Sequence, residues 1–398
     1  MDLCLALPDG LNIGGVVSWS VELAHELAAR QMQIVLMEHG ISGVSNDISI
    51  DPAIQRLSTN GCHPDRATRL DIHRYESVYE SVLPTVMVPN YSLGTHATCA
   101  AISSTRPEEI RVIGIGHSHH AYYYDLLGYY EPMIHQFIAV SEVIAVELRK
   151  MMPRRVSDIV TRPCGVSVVE ATTRTYSPEN QPLSLVYAGR LEESQKRVSD
   201  LLALAECLHQ KGVDFSLQIV GDGEAAHDLR VKADRLERTI RERLSFTGGV
   251  AHQQMTSIWK NADVCVLVSS HEGTSISMLE AMGNGCVPIV TAVSGSSEVI
   301  QPGCNGYLAD VGDLEEMARV IMMLATERST VERVGKRAYE TVRDKYSLPA
   351  YADWFEEQLE VIWKKPARPW PRLRPVISAR ILVMIARIKR SWLTQCSF

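Results

Sequence analysis

The sequence predicts an α/β protein made of two doubly wound, Rossmann-like domains that face each other across a cleft. Short apolar or β-branched runs alternate with amphipathic stretches along most of the chain, which is typical of parallel sheets covered by helices on both faces. The alternation restarts once, after a polar stretch at 169–182 that we interpret as a linker. The length of 398 residues allows two or three domains, and a hydrophobic share of 45% excludes wholesale disorder.

The first domain is predicted at 1–168. Its strand candidates are Leu3–Leu7, Ile34–Met37, Thr85–Val88, Arg111–Ile115, Phe137–Val140 and Ile159–Val160. Helices are predicted at Val16–Arg30 and Glu142–Met151, because apolar side chains recur there at the spacing of one helical face. Ligands of such sheets bind beyond the carboxyl ends of the strands, so the loops that follow these strands are candidate site segments.

The second domain is predicted at 183–346. Its strand candidates are Leu185–Ala188, Leu217–Val220, Val264–Val268 and Val287–Thr291. A further helix is predicted at 347–363, with aromatic and aliphatic side chains on one side. The residues that follow, 364–398, are interpreted as a separate basic and amphipathic tail.

Charge is distributed unevenly along the chain. The 40 basic and 47 acidic residues give a net charge of −7, which argues against a nucleic-acid partner. Nine basic residues and no acidic residue lie at 364–398, so residues 1–363 carry a net charge of −16. A broad apolar face in this tail is typical of a helix that lies on an anionic membrane without spanning it. A helix packed on the acidic body and a tail that binds a partner protein are the alternatives.

The cysteines and the amino terminus bear on the compartment. Nine cysteines are scattered singly without a C-x-x-C pair, which favours buried thiols in a reducing cytosol. The apolar run Leu3–Leu7 has no basic segment before it and is too short for a signal peptide or a membrane span. We therefore expect a cytoplasmic protein, with its tail as a peripheral contact to the inner face of the plasma membrane.

The segment Ser269–Val290 carries the strongest chemical signal. It follows a predicted buried strand, turns, enters an apolar helix and returns to strand. Thr274 or Ser275 is a good N-cap, and the amides of a first helical turn form an anion site suited to a phosphate. Glu272 lies in the turn, and Glu280 lies inside the helix among apolar neighbours, where an idle charge is rare. A solvated helix face is the alternative explanation for Glu280.

A second cluster follows the predicted strand Leu185–Ala188. Gly189 opens a turn, and Arg190 and Lys196 lie in the loop beyond it. Two cations at the carboxyl end of a strand can neutralise a diphosphate leaving group, Arg as a planar fork and Lys as a point charge. Taken alone, such cations are more often surface charges, but together with the two glutamates they favour a phosphate-binding site.

Together these motifs resemble retaining glycosyltransferase family 4, also described as glycosyl transferases group 1, which has the GT-B fold. The resemblance covers about residues 1–363 and is most specific between 184 and 310. It rests on these motifs, in order: Gly189-Arg190 with Lys196, Ile219–Gly223, Phe246-Thr247-Gly248, Glu272 with Glu280 after seven intervening residues, Ser294-Gly295 with Glu298, and Asn305–Leu308. Members often have Gly-Phe-Gly or Gly-Leu-Pro where this chain has Gly273-Thr274-Ser275, which leaves the donor sugar open.

The resemblance implies transfer of a sugar from a nucleotide-diphosphate sugar to an acceptor hydroxyl, with retention at the anomeric carbon and without a metal or other cofactor. The catalytic residues that it implies are His117 and Glu272. The donor-binding residues that it implies are Gly15, Arg190, Lys196, Thr274, Ser275, Ile276 and Glu280. Of these, Arg190 and Lys196 would bind the diphosphate, and Glu280 would bind the ribose. Glu272 would contact the transferred sugar near the reacting centre.

The motifs in the first half of the chain are less specific than those in the second half. Gly15 lies between the first strand and the first helix, where a glycine lets the backbone approach a ligand, although a plain turn is the alternative. His117, near the end of a predicted strand, resembles the family's histidine that faces the donor sugar. The adjacent His119 and His120 raise a zinc site as an alternative. No helical H-x-x-x-H arrangement and no acidic or cysteine partner accompanies them in the sequence, so no metal is predicted.

The sequence therefore predicts a retaining, hexosyltransferase-type enzyme of surface polysaccharide or glycoconjugate biosynthesis, with a glycan or lipid-linked acceptor. The family expectation is a front-face reaction in which the departing phosphate accepts the proton of the acceptor. A catalytically silent nucleotide-sugar-binding or scaffold protein and a nucleotide-sugar epimerase on the same fold are the alternatives. A protein that has lost catalysis would be expected to have lost some of these residues. This chain keeps a candidate at all five central positions, namely His117, Arg190, Lys196, Glu272 and Glu280.

Overall fold

The computed structural model describes residues 2–12, 14–39, 49–59, 64–168 and 174–371. These residues fold into two compact units. One unit comprises those within Met1–Asn12, Ser20–Pro163 and Ala352–Phe398, and the other comprises those within Ile13–Trp19 and Cys164–Tyr351. Each unit contains one parallel sheet with helices, so the predicted α/β fold is confirmed.

The first unit contains a sheet of seven described strands. In chain order they are β1 (Asp2–Leu7), β2 (Gln33–Glu38), β3 (Gln55–Ser58), β4 (Thr85–Val88), β5 (Ile110–Gly116), β6 (Gln136–Ala139) and β7 (Ile159–Thr161). Their spatial order is β3-β2-β1-β4-β5-β6-β7, and every pairing is parallel. The winding reverses between β1 and β4, which is where ligands of open α/β sheets bind.

The second unit contains a sheet of six described strands. In chain order they are β8 (Leu183–Ala188), β9 (Phe215–Val220), β10 (Leu244–Gly248), β11 (Val264–Leu267), β12 (Val287–Thr291) and β13 (Tyr307–Ala309). Their spatial order is β10-β9-β8-β11-β12-β13, again entirely parallel. Here the winding reverses between β8 and β11.

Helices connect successive strands in both units. The α-helices of the described chain are α1 (Gly15–Ala29), α2 (Arg69–Glu80), α3 (Leu93–Thr105), α4 (Ala121–Tyr130), α5 (Glu142–Met151), α6 (Ser199–Gln210), α7 (Ala226–Asp234), α8 (Arg238–Arg241), α9 (His252–Lys260), α10 (Ile276–Gly283), α11 (Ser294–Val299), α12 (Leu314–Thr326), α13 (Arg328–Lys345) and α14 (Leu348–Trp363). Three short 3-10 helices lie at Pro64–Arg66, Glu131–Met133 and Pro153–Asp158. None of these described helices is both long enough and apolar enough to cross a lipid bilayer.

Three strands have no counterpart among the predicted strands: β3, β10 and β13. All lie at or near a sheet edge, where one side or one face meets solvent. The four residues of β3 are mostly exposed, and β13 has only three residues. β3 and β13 show neither the apolar run of a buried strand nor a clear alternation, so the pattern that found the central strands does not detect them. β10 (Leu244–Gly248) does alternate, but it is short and was not predicted as a strand.

The chain beyond α14 packs on the first unit as far as the structure describes it. Lys365 donates to a carboxylate oxygen of Asp158 at 2.9 Å, and its ammonium also reaches the His135 carbonyl at 2.9 Å. Trp370 is buried against Tyr130, with ring centroids 5.2 Å apart. Residues 364–371 of the predicted tail are thus part of the first unit, whereas 372–398 lie outside the described residues, as do 169–173 of the predicted linker.

The cysteines of the described chain are free thiols. Five of them are buried, namely Cys4, Cys99, Cys164, Cys265 and Cys286, as predicted. Burial raises their pKa values well above that of an exposed thiol, because the thiolate loses its hydration in an apolar interior. Cys207 is half-buried and Cys304 is exposed, while Cys62 and Cys396 lie outside the described residues.

Candidate active site

The two predicted clusters of the second unit meet at its switch point. The loop that begins at Gly189 follows β8, and the turn that begins at Val268 follows β11. These two strands are neighbours, so their carboxyl ends lie at the same edge of the sheet. The amide of Ser270 donates to the carbonyl of Gln195 at 2.8 Å, which holds the two loops together.

Two glycines that follow β9 pack against the backbone of the loop that contains Arg190. Gly221 has a φ of 138°, and a Cβ there would lie 1.9 Å from the carbonyl oxygen of Gly189. Gly223 has a φ of 157°, and its Cβ would lie 2.4 Å from the carbonyl oxygen of Leu191. Only a residue without a side chain fits such an approach. The Gly-Asp-Gly motif therefore lets one backbone lie directly on another, and the Leu191 amide donates to the Asp222 carbonyl at 2.9 Å.

Glu272 and Lys196 form the central ion pair of the site. The Lys196 ammonium lies 2.5 Å from Oε1 of Glu272, and the side chains are 13% and 10% exposed. The Ser269 hydroxyl donates to the same oxygen at 2.7 Å, and the Gln195 amide group donates to Oε2 at 3.4 Å. Water is largely excluded from this pair, so its charges act through a lower dielectric than surface charges do.

Ser269 and Gln195 were not predicted as site residues. The role of Gln195 comes from contacts between two loops that are about 75 positions apart in sequence, whereas Ser269 contacts Glu272 within one turn. A serine at a strand end and a glutamine in a polar loop give no signal of their own. The proximity of Gln195 to Lys196 was the one available indication.

Hydrogen bonds from the first residues of α11 hold the turn around Glu272 in place. The Ser294 hydroxyl donates to the Glu272 carbonyl at 2.5 Å, and the Gly295 amide donates to the Gly273 carbonyl at 2.8 Å. A Cβ at position 295 would lie 2.1 Å from that second carbonyl oxygen. The downstream Ser-Gly motif therefore determines the shape of the turn that carries the catalytic candidate.

Ser275 is the N-cap of α10, which resolves the two caps that the sequence allowed. Its hydroxyl accepts from the amide of Met278 at 3.4 Å. Thr274 is buried just before it, and Ile276 is the first helical residue. The first-turn amides and the positive end of the helix dipole lie beside the Glu272 turn, an arrangement that favours an anionic ligand.

Glu280 lies on α10 between the buried residues Leu279 and Ala281. Its side chain is 14% exposed, and its Oε1 is 3.6 Å from Nδ1 of His252, the first residue of α9. His252 was not predicted as a site residue, because a lone histidine after a short edge strand has no distinguishing pattern. The carboxylate thus lies in a polar niche rather than on a solvated helix face.

Arg190 and Gly15 are the most exposed of the predicted donor-binding residues. The Arg190 guanidinium is 67% exposed and lies 3.4 Å from Glu192, while its carbonyl accepts from the Tyr187 hydroxyl at 2.9 Å. Its backbone is therefore fixed and its side chain extends into solvent. Gly15 begins α1, and a Cβ there would lie 3.4 Å from Cδ1 of Ile276. The donor-binding roles of both residues stay predictions.

In the first unit, His117 directly follows β5 and pairs with Asn90 beyond β4. His117 Nε2 and Asn90 Oδ1 are 3.0 Å apart. The Asn90 amide group donates to the Ala6 carbonyl at 2.6 Å, which orients Oδ1 toward the histidine. An oxygen can only accept, so Nε2 carries the proton. Burial lowers the pKa of His117 to about 3, so the ring is neutral.

The neighbouring histidines have separate partners. His119 Nδ1 lies 2.6 Å from the Tyr124 hydroxyl, and His120 Nδ1 accepts from the Tyr122 amide as the N-cap of α4. With His117 bound to Asn90, the three imidazoles do not converge on one point. Across the part of the chain that the structure describes, no three His, Cys, Asp or Glu side chains are grouped to hold a metal ion.

Three neutral histidines, His96, His117 and His135, predict a loss of stability in mild acid. Burial lowers the pKa values of His96 to about 4 and of His117 and His135 to about 3. In the unfolded chain these groups titrate near 6.5, so below that pH the unfolded state binds more protons. The free energy of unfolding should therefore fall as the pH drops from about 6.5 to 5, by up to roughly 4 kcal/mol per pH unit for the three together.

Urea unfolding at several pH values between 7.5 and 5 measures this loss, since the window lies above the ordinary range of carboxyl groups. The variant His96→Asn should lower the slope by about a third. A free energy of unfolding that is the same at pH 7 and pH 5 would contradict the neutral state of these rings.

Comparison with known proteins agrees with this fold. The family described as glycosyl transferases group 1 matches residues 182–327. TarM of S. aureus, solved in complex with UDP, superposes with a TM-score of 0.75 over 92% of this chain and 100% of its own, at 13% identity. Sucrose-phosphate synthase from Thermosynechococcus elongatus gives 0.74 over 91% and 99%, at 18% identity. At such identities the likeness shows the fold alone, and that fold is GT-B.

Curated relatives match over shorter stretches. An alpha-D-kanosaminyltransferase of Streptomyces kanamyceticus is 29% identical over 45% of this chain and 45% of its own. An N-acetyl-alpha-D-glucosaminyl L-malate synthase of Bacillus anthracis is 32% identical over 40% and 41%. A putative colanic acid biosynthesis glycosyltransferase of Salmonella typhimurium is 26% identical over 57% and 58%. The chain thus spans about half the length of the curated relatives it matches.

Proposed function

We propose that the chain is a retaining glycosyltransferase, on the premise that its residues 182–327 match the family described as glycosyl transferases group 1. Its donor is a nucleotide-diphosphate sugar and its acceptor is a hydroxyl of a glycan or of a lipid-linked sugar. The observation that carries the proposal is the shielded Lys196–Glu272 pair at the switch point of the second sheet, beside the amino end of α10. A cation and first-turn amides at one strand edge are suited to a diphosphate.

Each predicted residue except Gly15 then has a role in the proposal. Lys196 and the exposed guanidinium of Arg190 bind the diphosphate, together with the amides near Thr274, Ser275 and Ile276. Glu280 accepts hydrogen bonds from the ribose. Glu272 contacts the transferred sugar, and its carboxylate is oriented by Ser269 and Gln195. His117 contacts the sugar as a neutral imidazole.

The reaction needs little covalent chemistry from the protein. The bond between the anomeric carbon and the diphosphate oxygen breaks, and a bond from the acceptor oxygen forms on the same face of the sugar. The proton of the acceptor hydroxyl passes to the departing phosphate oxygen. Lys196, Arg190 and the helix amides stabilise the negative charge that develops on the leaving group. No side-chain nucleophile, metal or other cofactor is invoked, and the anomeric configuration of the product tests the stereochemistry.

The biological setting is proposed from the relatives. Several are described as glycosyltransferases that act in the synthesis of colanic acid or lipopolysaccharide. Both products are surface polysaccharides. We place this protein in the same kind of pathway, on the cytoplasmic side of the membrane. Contact with an anionic bilayer through the basic tail would bring the enzyme to a lipid-linked acceptor.

Nucleotide binding is the first result that this proposal predicts. A thermal-shift screen with UDP, GDP, ADP and their sugar conjugates, without added metal, should give a rise in Tm with one nucleotide. At a ligand concentration of about 100 times Kd, stabilisation of about 2.7 kcal/mol corresponds to roughly 5–10 °C. The shift should disappear in Lys196→Ala.

A matched control is Lys211→Ala, which removes a lysine of the same unit that pairs with Glu315 at the surface. This variant should keep the nucleotide shift. If a folded sample shows no shift with any nucleotide, the alternative of a scaffold protein that does not bind a donor replaces the proposal.

A further inference from the structure

Large hydrophobic side chains are exposed together on one side of the first unit. Val143 and Val146 are each 38% exposed, Met151 is 44% exposed and Val156 is 47% exposed. The described chain exposes eight large hydrophobic residues in all, and half of them lie within this stretch of 14 residues. Such residues are normally scattered singly, and a group of them marks an interaction surface.

The geometry of α5 places Val143 and Val146 on one outward face. Ile144, Ala145 and Leu148 are the buried residues of the helix. Val143, Val146 and Lys150 follow one another at helical spacing on the opposite side. The 3-10 helix Pro153–Asp158 continues the surface with the exposed residues Arg154 and Val156. We name this surface the α5 face; it consists of Val143, Val146, Lys150, Met151, Arg154 and Val156.

The acidic groups beside the α5 face are neutralised. Glu142 forms an ion pair with Arg149, and Glu147 pairs with Lys150 at 2.7 Å. Asp158 binds Arg155 at 2.7 Å and Lys365 at 2.9 Å. The acidic charge is therefore balanced at this surface, and the exposed Arg154 lies beside it.

The carboxyl-terminal segment leaves the first unit beside the same face. Trp370 packs on Tyr129, with ring centroids 5.8 Å apart. Gly128, the preceding residue of α4, contacts Met151, since a Cβ at Gly128 would lie 3.3 Å from the Met151 methyl carbon. Lys365 is bound to the last residue of the 3-10 helix. The 27 residues that follow Pro371 contain six basic residues and no acidic one.

We propose that the α5 face is a membrane-docking surface for anionic lipid and binds the same bilayer as the tail. The inference rests on the membrane contact in the proposed function and adds the surface of the folded unit that makes it. Exposed valines and a methionine enter the boundary of the acyl chains, while Arg154 meets the anionic headgroups. Lys150 also meets them, because its ion pair with Glu147 is exposed and therefore weak. One short amphipathic segment binds a bilayer weakly and reversibly, and a second contact linked to it raises the affinity by avidity.

Vesicle co-sedimentation of the full chain tests the proposal. Vesicles of phosphatidylcholine with phosphatidylglycerol, in about a 3:1 ratio, should bind the protein, and phosphatidylcholine alone should bind it less. The double variant Val143→Ser with Val146→Ser should weaken binding to the mixed vesicles roughly tenfold. The double variant Lys150→Gln with Arg154→Gln should weaken binding to the mixed vesicles only.

The matched control is Leu70→Ser, which replaces an even more exposed leucine on α2 of the same unit. It should bind vesicles as the unchanged protein does. A tail variant with Arg387→Gln, Lys389→Gln and Arg390→Gln should also weaken binding, because both contacts are needed.

Two results would overturn the proposal. One is an unchanged protein that stays in the supernatant with the mixed vesicles. The other is a valine double variant that binds them as the unchanged protein does, which would leave the tail as the membrane contact. The nucleotide shift of each variant is measured in parallel. It reports on the fold and on the proposed donor site, so a failure there is distinguishable from a failure of docking.

Discussion

Lys196→Ala is expected to lower kcat/KM for the donor about 10²–10³-fold, or roughly 3–4 kcal/mol of transition-state stabilisation. The lysine is the shielded cation of the site, and in the proposed reaction it faces the negative charge that develops on the diphosphate. Nucleotide release, followed with the donor that the thermal-shift screen identifies, measures the effect. An activity within a few fold of the unchanged protein would remove Lys196 from the catalytic site.

Stability separates this catalytic effect from a folding defect. Lys196→Ala leaves the Glu272 carboxylate without its cation in a shielded place, which should lower the free energy of unfolding by up to about 3 kcal/mol. Adding Glu272→Gln removes the stranded charge and should restore stability, while activity stays low. Arg190→Ala should lower activity without a change in stability, because that side chain is largely exposed.

Gly221→Ala is expected to lower the free energy of unfolding by about 3–5 kcal/mol. The residue has a φ of 138°, which an alanine adopts only with strain, and its new Cβ would lie 1.9 Å from the Gly189 carbonyl oxygen. The backbone of the Arg190 loop must then move away from β9. Chemical denaturation measures the loss, and the nucleotide shift should fall with it.

Gly212→Ala is the control for this prediction. Gly212 also has a positive φ, 69°, but no atom lies within 4 Å of the position of its Cβ. It should lose only the strain of the backbone, about 1 kcal/mol. Equal losses in the two variants would show that the close approach to Gly189 is not tight in solution.

The central part of the fold could be predicted because burial on both faces gives a continuous apolar run. The strand predicted at Leu3–Leu7 is β1 (Asp2–Leu7), and the one predicted at Val264–Val268 is β11 (Val264–Leu267). The edge strand β3 has no such run, since its residues are mostly exposed. The hydrophobic pattern of a sequence reflects which side chains are buried, so a strand whose side chains are exposed shows no such pattern.

Residues of the candidate site could be predicted where charged side chains and glycines follow one another within a single loop or helix. Lys196 and Glu272 were chosen for their chemistry, and the structure brings them into contact. Asn90 was not chosen, although it orients His117. Its position depends on a left-handed backbone, with a φ of 54°, and on the carbonyl of a distant strand. Such tertiary requirements are not encoded in local spacing.

The division of the chain between the two units has a consequence for biosynthesis. The described residues from Ala352 onward belong to the first unit, where Asp353 pairs with Arg30 and Gln358 accepts from Gln136 at 2.9 Å. Most of the second unit, Cys164–Tyr351, is translated before them. Domains ordinarily fold in the order in which they leave the ribosome. Here the unit that begins first is completed last, so the first unit of the nascent chain lacks the packing of α14 until that helix has been translated.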